Sequence, residues 1–312
     1  MRRKIFSLFT WGALLVLSAC GRPAASPRYT PSTELWNDFS GDKAFEHVKQ
    51  MIDLGPRPIG SPELEKSREY IIRNLEKSGW QVERQKFSDN TPRGKFEFVN
   101  LIARFPVKPG KPVPADAQQV IVCSHYDTKI FDTVRFVGAS DGASSSGALI
   151  ELARVLARDP QLASKIELVF FDGEEAVQSF TETDGLYGSR YYARNLRETK
   201  RAGQFKFGIL WDMIGDKNLT ITLPPDSPPR LARGIFEAAD ALKVRENFSY
   251  FGNPVLDDHT PLNSSFIPTI DLIDFDYPPW HTPEDTLDKL SPDSLRKVGA
   301  VTLFFLQHEL AK

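Results

Sequence analysis

Residues 166–175 read IELVFFDGEE, an apolar run that passes directly into Asp172, Gly173, Glu174 and Glu175. The run IELVFF has the length and composition of a buried β-strand. In open α/β sheets, functional sites lie at the carboxyl ends of the strands. An apolar strand should not end in three carboxylates unless something holds them there, so this stretch predicts a strand of a central sheet whose end lies at a site.

The rest of the chain repeats the pattern of apolar strands separated by amphipathic segments. Strand-like runs occupy residues 80–87, 96–105, 119–127, 166–174, 207–215, 219–223 and 269–275. Helix-like segments occupy residues 42–54, 62–78, 143–158, 187–198, 229–242 and 292–310. Such alternation predicts an α/β fold, a single globular domain with a mostly parallel central β-sheet flanked by helices. No repeat or second linker divides residues 36–312, which we expect to form one domain.

Composition excludes several classes of protein. The 312 residues are 41% hydrophobic and 26% charged, with a formal net charge of −2. This is the profile of a globular protein, and its charge balance argues against a nucleic-acid-binding function. No segment reaches the roughly 18 apolar residues that a membrane-spanning helix needs.

The N-terminus has the layout of an export signal. Residues 1–19 begin with three basic residues, continue with an apolar stretch and end in Leu-Ser-Ala before Cys20. This end resembles a bacterial lipobox, which implies cleavage before Cys20, lipidation of its thiol and a flexible tether over residues 20–35. Gly21 is not an aspartate, and the resemblance to Gram-negative lipoproteins then favours anchoring on the periplasmic side of the outer membrane. We therefore expect an exported bacterial lipoprotein.

Cys20 and Cys123 are the two cysteines of the chain. If Cys20 is acylated, Cys123 has no intramolecular partner, and the domain must rely on a large core. Cys123 lies in the apolar run VIVCSHYD, so we expect a small buried thiol.

Residues that can bind a metal or move protons collect at the predicted strand ends and in the turns that follow. They are His125, Asp127, Asp141, Glu174, Glu175, Asp212 and His281. Each of them alone has an ordinary explanation as a cap, a loop residue or a solvated charge. Several carboxylates at one sheet edge would repel one another, and a bound dication is the simplest compensation. Histidine and carboxylate oxygens are good zinc ligands, so the pattern predicts a zinc site.

The order H-x-D, D, EE, D, H resembles that of the zinc aminopeptidase and glutaminyl cyclase superfamily. The resemblance implies that Glu174, the first glutamate of the pair, is the general base and that Glu175 is a zinc ligand. Neighbouring residues at a strand end point in different directions, so one glutamate can hold metal while the other faces a substrate.

Six stretches, in the family's order, are similar to animal-type glutaminyl cyclases: TPRGKFEFVNLIA, SHYDTK with RFVGASDGA, FFDGEEA with DGLYGSRYYA, LWDMIGD, DDHTPL and YPPWHTPED. This resemblance implies an acyltransferase, a glutaminyl-peptide cyclotransferase that converts the N-terminal glutamine of peptides or proteins to pyroglutamate and releases ammonia. The implied partners are peptides with N-terminal glutamine, and the implied state is a monomer.

The resemblance also assigns roles to individual residues. It implies zinc ligation by Asp141, Glu175 and His281, acid/base catalysis by Glu174, a carboxylate relay of Asp212 and Asp257, and pocket walls from Trp280, Tyr277 and Phe180. Phe180 lies nearest to the position of a tryptophan that is usual in cyclases, and Leu262 replaces a usual phenylalanine. His125 would sit beside the site without being needed as a ligand.

Two other functions remain open from the sequence. In a zinc metallo-aminopeptidase that hydrolyses N-terminal residues, His125 and Asp212 would bind a second zinc, and Asp141 would bridge the two ions. A metal-free binding protein on the same fold is the third hypothesis, and surplus buried carboxylates would be costly there.

Overall fold

The computed structural model describes residues 33–106, 114 and 117–311. The predicted signal peptide, Cys20 and most of the predicted tether lie outside the described residues. The first element is a 3-10 turn, Leu35–Asp38, in which Leu35 is buried. No helix within the described ranges is long and apolar enough to cross a membrane.

Within the described residues, eight strands form one mixed sheet in the order β1-β2-β4-β3-β5-β8-β6-β7. They are β1 (Gln81–Thr91), β2 (Gly94–Arg104), β3 (Val120–His125), β4 (Ile166–Phe171), β5 (Phe207–Asp212), β6 (Ile221–Leu223), β7 (Phe248–Tyr250) and β8 (Thr269–Ile273). The central strands β4, β3, β5 and β8 run parallel, whereas β1, β2 and the β6–β8 pair are antiparallel. The predicted α/β fold with a mostly parallel sheet is confirmed.

Helices cover both faces of the sheet. They are α1 (Gly41–Leu54), α2 (Pro62–Lys77), α3 (Ser145–Leu156), α4 (Pro160–Ala163), α5 (Tyr187–Glu198), α6 (Pro229–Ala241), α7 (His259–Asn263) and α8 (Pro292–Ala311). Successive residues of a strand point to opposite faces. In β3, Val120 and Val122 therefore pack into the core under α1, α2, α3, α6 and α8, while Ile121 and Cys123 pack under α5 and α7. The expectation of a buried Cys123 thiol is confirmed.

Helix α1 packs closely against helix α3. The Ser40 side chain caps α1, and Ala44, Val48 and Met51 form its buried stripe. At the α1–α3 contact, a Cβ added to Gly147 would lie 2.9 Å from the Val48 nitrogen. A larger residue at position 147 would force the two helices apart, so this glycine fixes how closely α3 can lie against the domain.

The structure differs from the sequence prediction mainly at the edges of the sheet. The strand predicted to end at residue 87 continues to Thr91, and a two-residue turn leads into β2 at Gly94. The polar stretch SDNT resembles a loop, but an exposed edge strand tolerates polar residues on its solvent side. The three-residue strand β7 is too short to produce a sequence signal and was not predicted.

Candidate active site

The sheet brings four chemically active segments to one edge. Strand β3 lies between β4 and β5, so the ends of these strands place His125, the Glu174–Glu175 pair and Asp212 side by side. Strand β8 adjoins β5, and the loop after β8 carries His281 to the same edge. The sequence prediction that these residues converge is confirmed by their contacts.

Three side chains converge on one point as a metal site requires. Nε2 of His281 lies 3.2 Å from Oδ2 of Asp141 and 3.2 Å from Oε1 of Glu175. One ring nitrogen carries at most one proton, so it cannot donate to both oxygens at once. Asp141 Oδ2 is buried and, among the described residues, has no hydrogen-bond partner. One histidine and two carboxylates around a shared point fit a divalent metal such as zinc.

The other carboxylate oxygen of Asp141 faces a second set of donors. Oδ1 of Asp141 lies 3.2 Å from Nε2 of His125, and the same nitrogen lies 3.1 Å from Oδ1 of Asp212. Burial acts to raise the pKa of Asp141, but the adjacent His125 and His281 rings outweigh it and lower that pKa. Asp141 thus joins two groups of ligand-type side chains, which is the arrangement expected if a second metal were bound.

Local backbone geometry explains how Asp141 reaches this position. It lies in a kinked turn, Ala139–Ser144, just before α3, and Gly142 beside it has φ +90°. A Cβ at Gly142 would lie 2.7 Å from the Asp127 carbonyl oxygen, so only glycine fits there without displacing the backbone. His281 itself has φ +55°, an uncommon backbone conformation for a residue with a side chain.

The adjacent glutamates are fixed through their backbone. The Asp127 carboxylate accepts hydrogen bonds from the Glu174 and Glu175 nitrogens, both at 3.2 Å. Both glutamates line the cleft, and Glu175 lies against the His281 ring. Burial, with the nearby charge of Glu175, raises the pKa of Glu174 well above its ordinary value, although His125 opposes the shift. Two neighbouring carboxylates are therefore held in different environments.

Two anchoring residues were missed by sequence reasoning. Asp285 accepts hydrogen bonds from the backbone nitrogens of Ser140 (2.7 Å) and Asp141 (3.1 Å), which fixes the kinked turn. Burial raises the pKa of Asp285 to about 6. Its position four residues after His281 is the signal that could have singled it out.

The second missed anchor is Arg57, a fully buried cation between α1 and α2. Its guanidinium donates to the carbonyl of Tyr126, which follows His125, at 3.2 Å and to that of Gly138, three residues before Asp141, at 3.1 Å. Burial lowers its pKa to about 10. The run GPRPIGSP, which contains Arg57, has the composition of a turn and gives no reason to expect a buried charge.

An aromatic cleft of about 430 Å³ opens above the metal-type ligands. Trp280 is 40% exposed, and its indole stacks on the His281 imidazole with ring centroids 4.3 Å apart. Phe180, 39% exposed, lines the same cleft. The remaining lining residues include Lys129, Glu174, Asp212, Met213, Leu256, Asp257 and Phe275.

Tyr277 lies elsewhere than the expected pocket wall. It is buried with Met213, Val255 and Ile273, and it is not among the residues that line the cleft. Its hydroxyl donates a 2.7 Å hydrogen bond to Oδ1 of Asp285. The side chain turns inward because Asp285 offers a buried acceptor, so Tyr277 supports the kinked turn from behind.

A buried acidic cluster extends from the cleft into the protein. Asp257 lines the cleft, and burial together with the Asp212 charge raises its pKa to about 6. Behind it, Asp258 and Asp271 are fully buried, and burial raises the pKa of both well above the ordinary range. His259 Nδ1 lies 3.4 Å from Asp271 Oδ2. Asp212 and Asp257, the residues expected to form a relay, thus lie at the entrance of a larger cluster.

The chain is similar to known proteins in both sequence and structure. Residues 100–306 match the model of peptidase family M28. The chain is 30% identical to a Drosophila melanogaster protein named glutaminyl-peptide cyclotransferase, with 99% of this chain and 93% of that protein covered. Among solved structures, an Acidobacteriales bacterium glutaminyl cyclase is 34% identical with a TM-score of 0.78, covering 93% of this chain and 98% of the other. A Zn-dependent exopeptidase from Parabacteroides distasonis is 26% identical, with a TM-score of 0.77 and coverage of 86% and 98%.

Proposed function

This chain belongs to peptidase family M28, and we propose that within this family it is a glutaminyl-peptide cyclotransferase, an enzyme that converts N-terminal glutamine of peptides or proteins to pyroglutamate. One observation carries the proposal: a relative of that name matches 99% of the chain at 30% identity. The match therefore includes the segments that build the cleft as well as the metal-type ligands. The likeness to a bacterial glutaminyl cyclase structure supports the same conclusion.

The donor set supports zinc as the cofactor, with Asp141, Glu175 and His281 as the residues that would hold it. When bound there, zinc supplies Lewis-acid polarisation of the substrate's side-chain amide. The Trp280 indole packs on the His281 ring, and Asp285 fixes the backbone of Asp141. These contacts hold two of the three ligands in place before any substrate arrives, as preorganised catalysis requires.

The proposed reaction is an intramolecular acyl transfer. A bond forms between the α-nitrogen of the N-terminal glutamine and its side-chain amide carbon, the bond from that carbon to the amide nitrogen breaks, and ammonia leaves. No water is consumed. Because nucleophile and electrophile belong to one residue, holding the glutamine folded back supplies much of the rate.

Residues of the cleft would divide the remaining tasks. Glu174 takes a proton from the α-amine and returns one to the departing ammonia, a task that its buried position at the cleft suits. Asp212 and Asp257, which line the same cleft, accept hydrogen bonds from the amide nitrogen. The Trp280 and Phe180 rings enclose the apolar methylenes of the glutamine side chain and exclude water.

The product of one incubation tests this function. A peptide that starts with glutamine is mixed with the zinc-loaded protein, and the product mass is read. Loss of ammonia with an intact peptide chain is the expected result. The same peptide acetylated at its α-amine is the matched control and should remain unchanged, because its nitrogen can no longer attack.

One observation favours a metallo-aminopeptidase as the second candidate. Nε2 of His125 lies 3.2 Å from Oδ1 of Asp141 and 3.1 Å from Oδ1 of Asp212, so these three side chains form a group that could hold a second metal, and one similar structure is that of a Zn-dependent exopeptidase. The same incubation separates the two functions, because a peptidase releases the first residue. That outcome would overturn the cyclotransferase proposal.

The location of the enzyme rests on the N-terminal sequence. The basic start, the apolar stretch and Leu-Ser-Ala before Cys20 support export, cleavage and lipidation at Cys20. The enzyme would then act as a monomer tethered to the periplasmic side of the outer membrane, on peptides and proteins that reach that compartment.

A further inference from the structure

A second groove, of about 440 Å³, adjoins the active-site cleft and is not used by the proposed reaction. Arg190, Arg194 and Arg197, all on α5, line it, and we call it the arginine groove. Leu256 lines both the groove and the cleft, and it is exposed between them. Phe180 of the cleft is followed directly by Thr181 of the groove, so the two cavities lie next to each other.

Little negative charge offsets the positive charge of the three arginines. The guanidinium of Arg190 donates to the backbone carbonyls of Leu186, Glu182 and Thr183 and, among the residues that the structure describes, to no carboxylate. Arg197 donates to the Ser265 hydroxyl. These partners are neutral, so they orient the two cations without offsetting their charge.

Arg194 is the third cation, and its one ion pair is weak. It lies 4.0 Å from Glu198, and both side chains are more than half exposed. Within the described residues, no other carboxylate lies within 4.0 Å of the three guanidinium groups. Asp89 and Glu182 also line the groove. With three arginines and two acidic residues, the lining has an excess of one positive charge.

The position of the N-terminal glutamine sets the direction in which the rest of the substrate chain leaves the cleft. The N-terminal glutamine occupies the cleft with its amine toward Glu174, so the rest of the peptide must leave through the glutamine carbonyl. An extended chain advances about 3.3–3.6 Å per residue, and the groove borders the cleft at Leu256. We propose that residues downstream of the glutamine lie in the arginine groove and that the enzyme prefers peptides with Asp or Glu a few positions after the first residue. This rests on the proposed cyclotransferase function.

A peptide series tests the preference directly. Each peptide has the form Gln followed by alanines, with one Asp or one Lys placed at position 2, 3, 4, 5 or 6. At the best position we expect kcat/KM for the Asp peptide to exceed that of the Lys peptide by roughly 2–5-fold, the scale of partly exposed ion pairs. The ratio should shrink as salt is raised, because exposed charges are screened.

Substitutions of the groove arginines test whether the groove causes this charge preference. Arg194→Gln combined with Arg197→Gln should bring the Asp/Lys ratio close to one while leaving turnover of the all-alanine peptide unchanged. Arg194→Glu should favour Lys peptides. Arg233→Gln is the matched control, since Arg233 is an exposed arginine on α6, which packs on the opposite face of the sheet from α5. Arg190 is left intact because it braces the loop that it bonds to.

Each failure has its own signature. Equal rates for Asp and Lys peptides at every position, or a preference that survives in the double variant, would overturn the groove. A preference lost equally in Arg233→Gln would also overturn it. If no peptide of the series loses ammonia, the proposed function itself fails, and that result cannot be confused with an absent charge preference.

Discussion

The indole of Trp280 stacks on the imidazole of His281, with ring centroids 4.3 Å apart and an angle of 25° between the ring planes. The outer face of the indole borders the cleft. A residue that the sequence places next to a metal-type ligand is thus in contact with that ligand and with the space where a substrate would lie.

Replacing Trp280 by alanine should damage substrate positioning more than stability. The side chain is 40% exposed, so little core packing is lost. Small misplacements of a substrate can cost about 10²-fold in rate, and we expect a fall of that order in kcat/KM. Zinc content and melting temperature should stay near wild type, and Trp280→Phe should recover part of the activity. A large drop in melting temperature with normal kinetics of the folded fraction would make Trp280 a packing residue.

Substitutions of the two adjacent glutamates should have different effects. Glu174→Gln keeps the shape of the side chain but cannot carry a proton, so turnover should fall by about 10²–10⁴-fold with metal retained. Glu175→Gln is the matched variant and should instead weaken metal affinity. Rates measured alongside metal content distinguish the two effects. Near-normal turnover in Glu174→Gln would remove this residue from the mechanism.

Metal content should distinguish the two histidines that face Asp141. We expect one tightly bound zinc per chain, lost in His281→Asn and kept in His125→Asn. Elemental analysis after dialysis gives the count. Two tight zinc ions in the wild-type protein, one of which disappears in His125→Asn, would favour the aminopeptidase.

The pH dependence of stability should reflect Asp274. Burial raises its pKa to about 7, from an ordinary value of 3.8. The pKa of Asp274 is higher in the folded than in the unfolded protein, so the protonated carboxyl stabilises the fold. This stabilisation is fully present below about pH 4 and is lost as the pH rises through about 7. From pH 5 to pH 8, the free energy of unfolding of wild type should fall relative to Asp274→Asn by at most about 2–3 kcal/mol. Denaturant titrations at both pH values measure this, and parallel curves would contradict it.

Membrane fractionation tests the predicted anchor. The mature protein should carry lipid at Cys20 and sediment with membranes, whereas Cys20→Ser should be released in soluble form. The catalytic domain is unchanged in this variant, so cyclising activity should move with the protein into the soluble fraction. An unchanged distribution would reject the anchor.

Much of the fold can be predicted from local sequence. Every segment that the sequence marked as a helix or as an apolar strand forms that element, because apolar periodicity and breaker residues act over a few neighbouring positions. Ser61 and Pro62, for example, begin α2 as cap and first helical residue. The ligand-type residues were visible for the same reason, since polar clusters directly after apolar strands mark the edge of an α/β sheet.

The tertiary structure decided how those residues meet. It assigns the two oxygens of Asp141 to different histidines, turns Tyr277 away from the cleft toward Asp285, and places the buried Arg57 behind both ligand loops. It also brings the arginines of α5 beside Leu256. Contacts of this kind join residues far apart in the chain, 106 positions apart in the case of Glu175 and His281. They depend on strand order and on which way each side chain leaves the sheet, and no local pattern in the sequence encodes either.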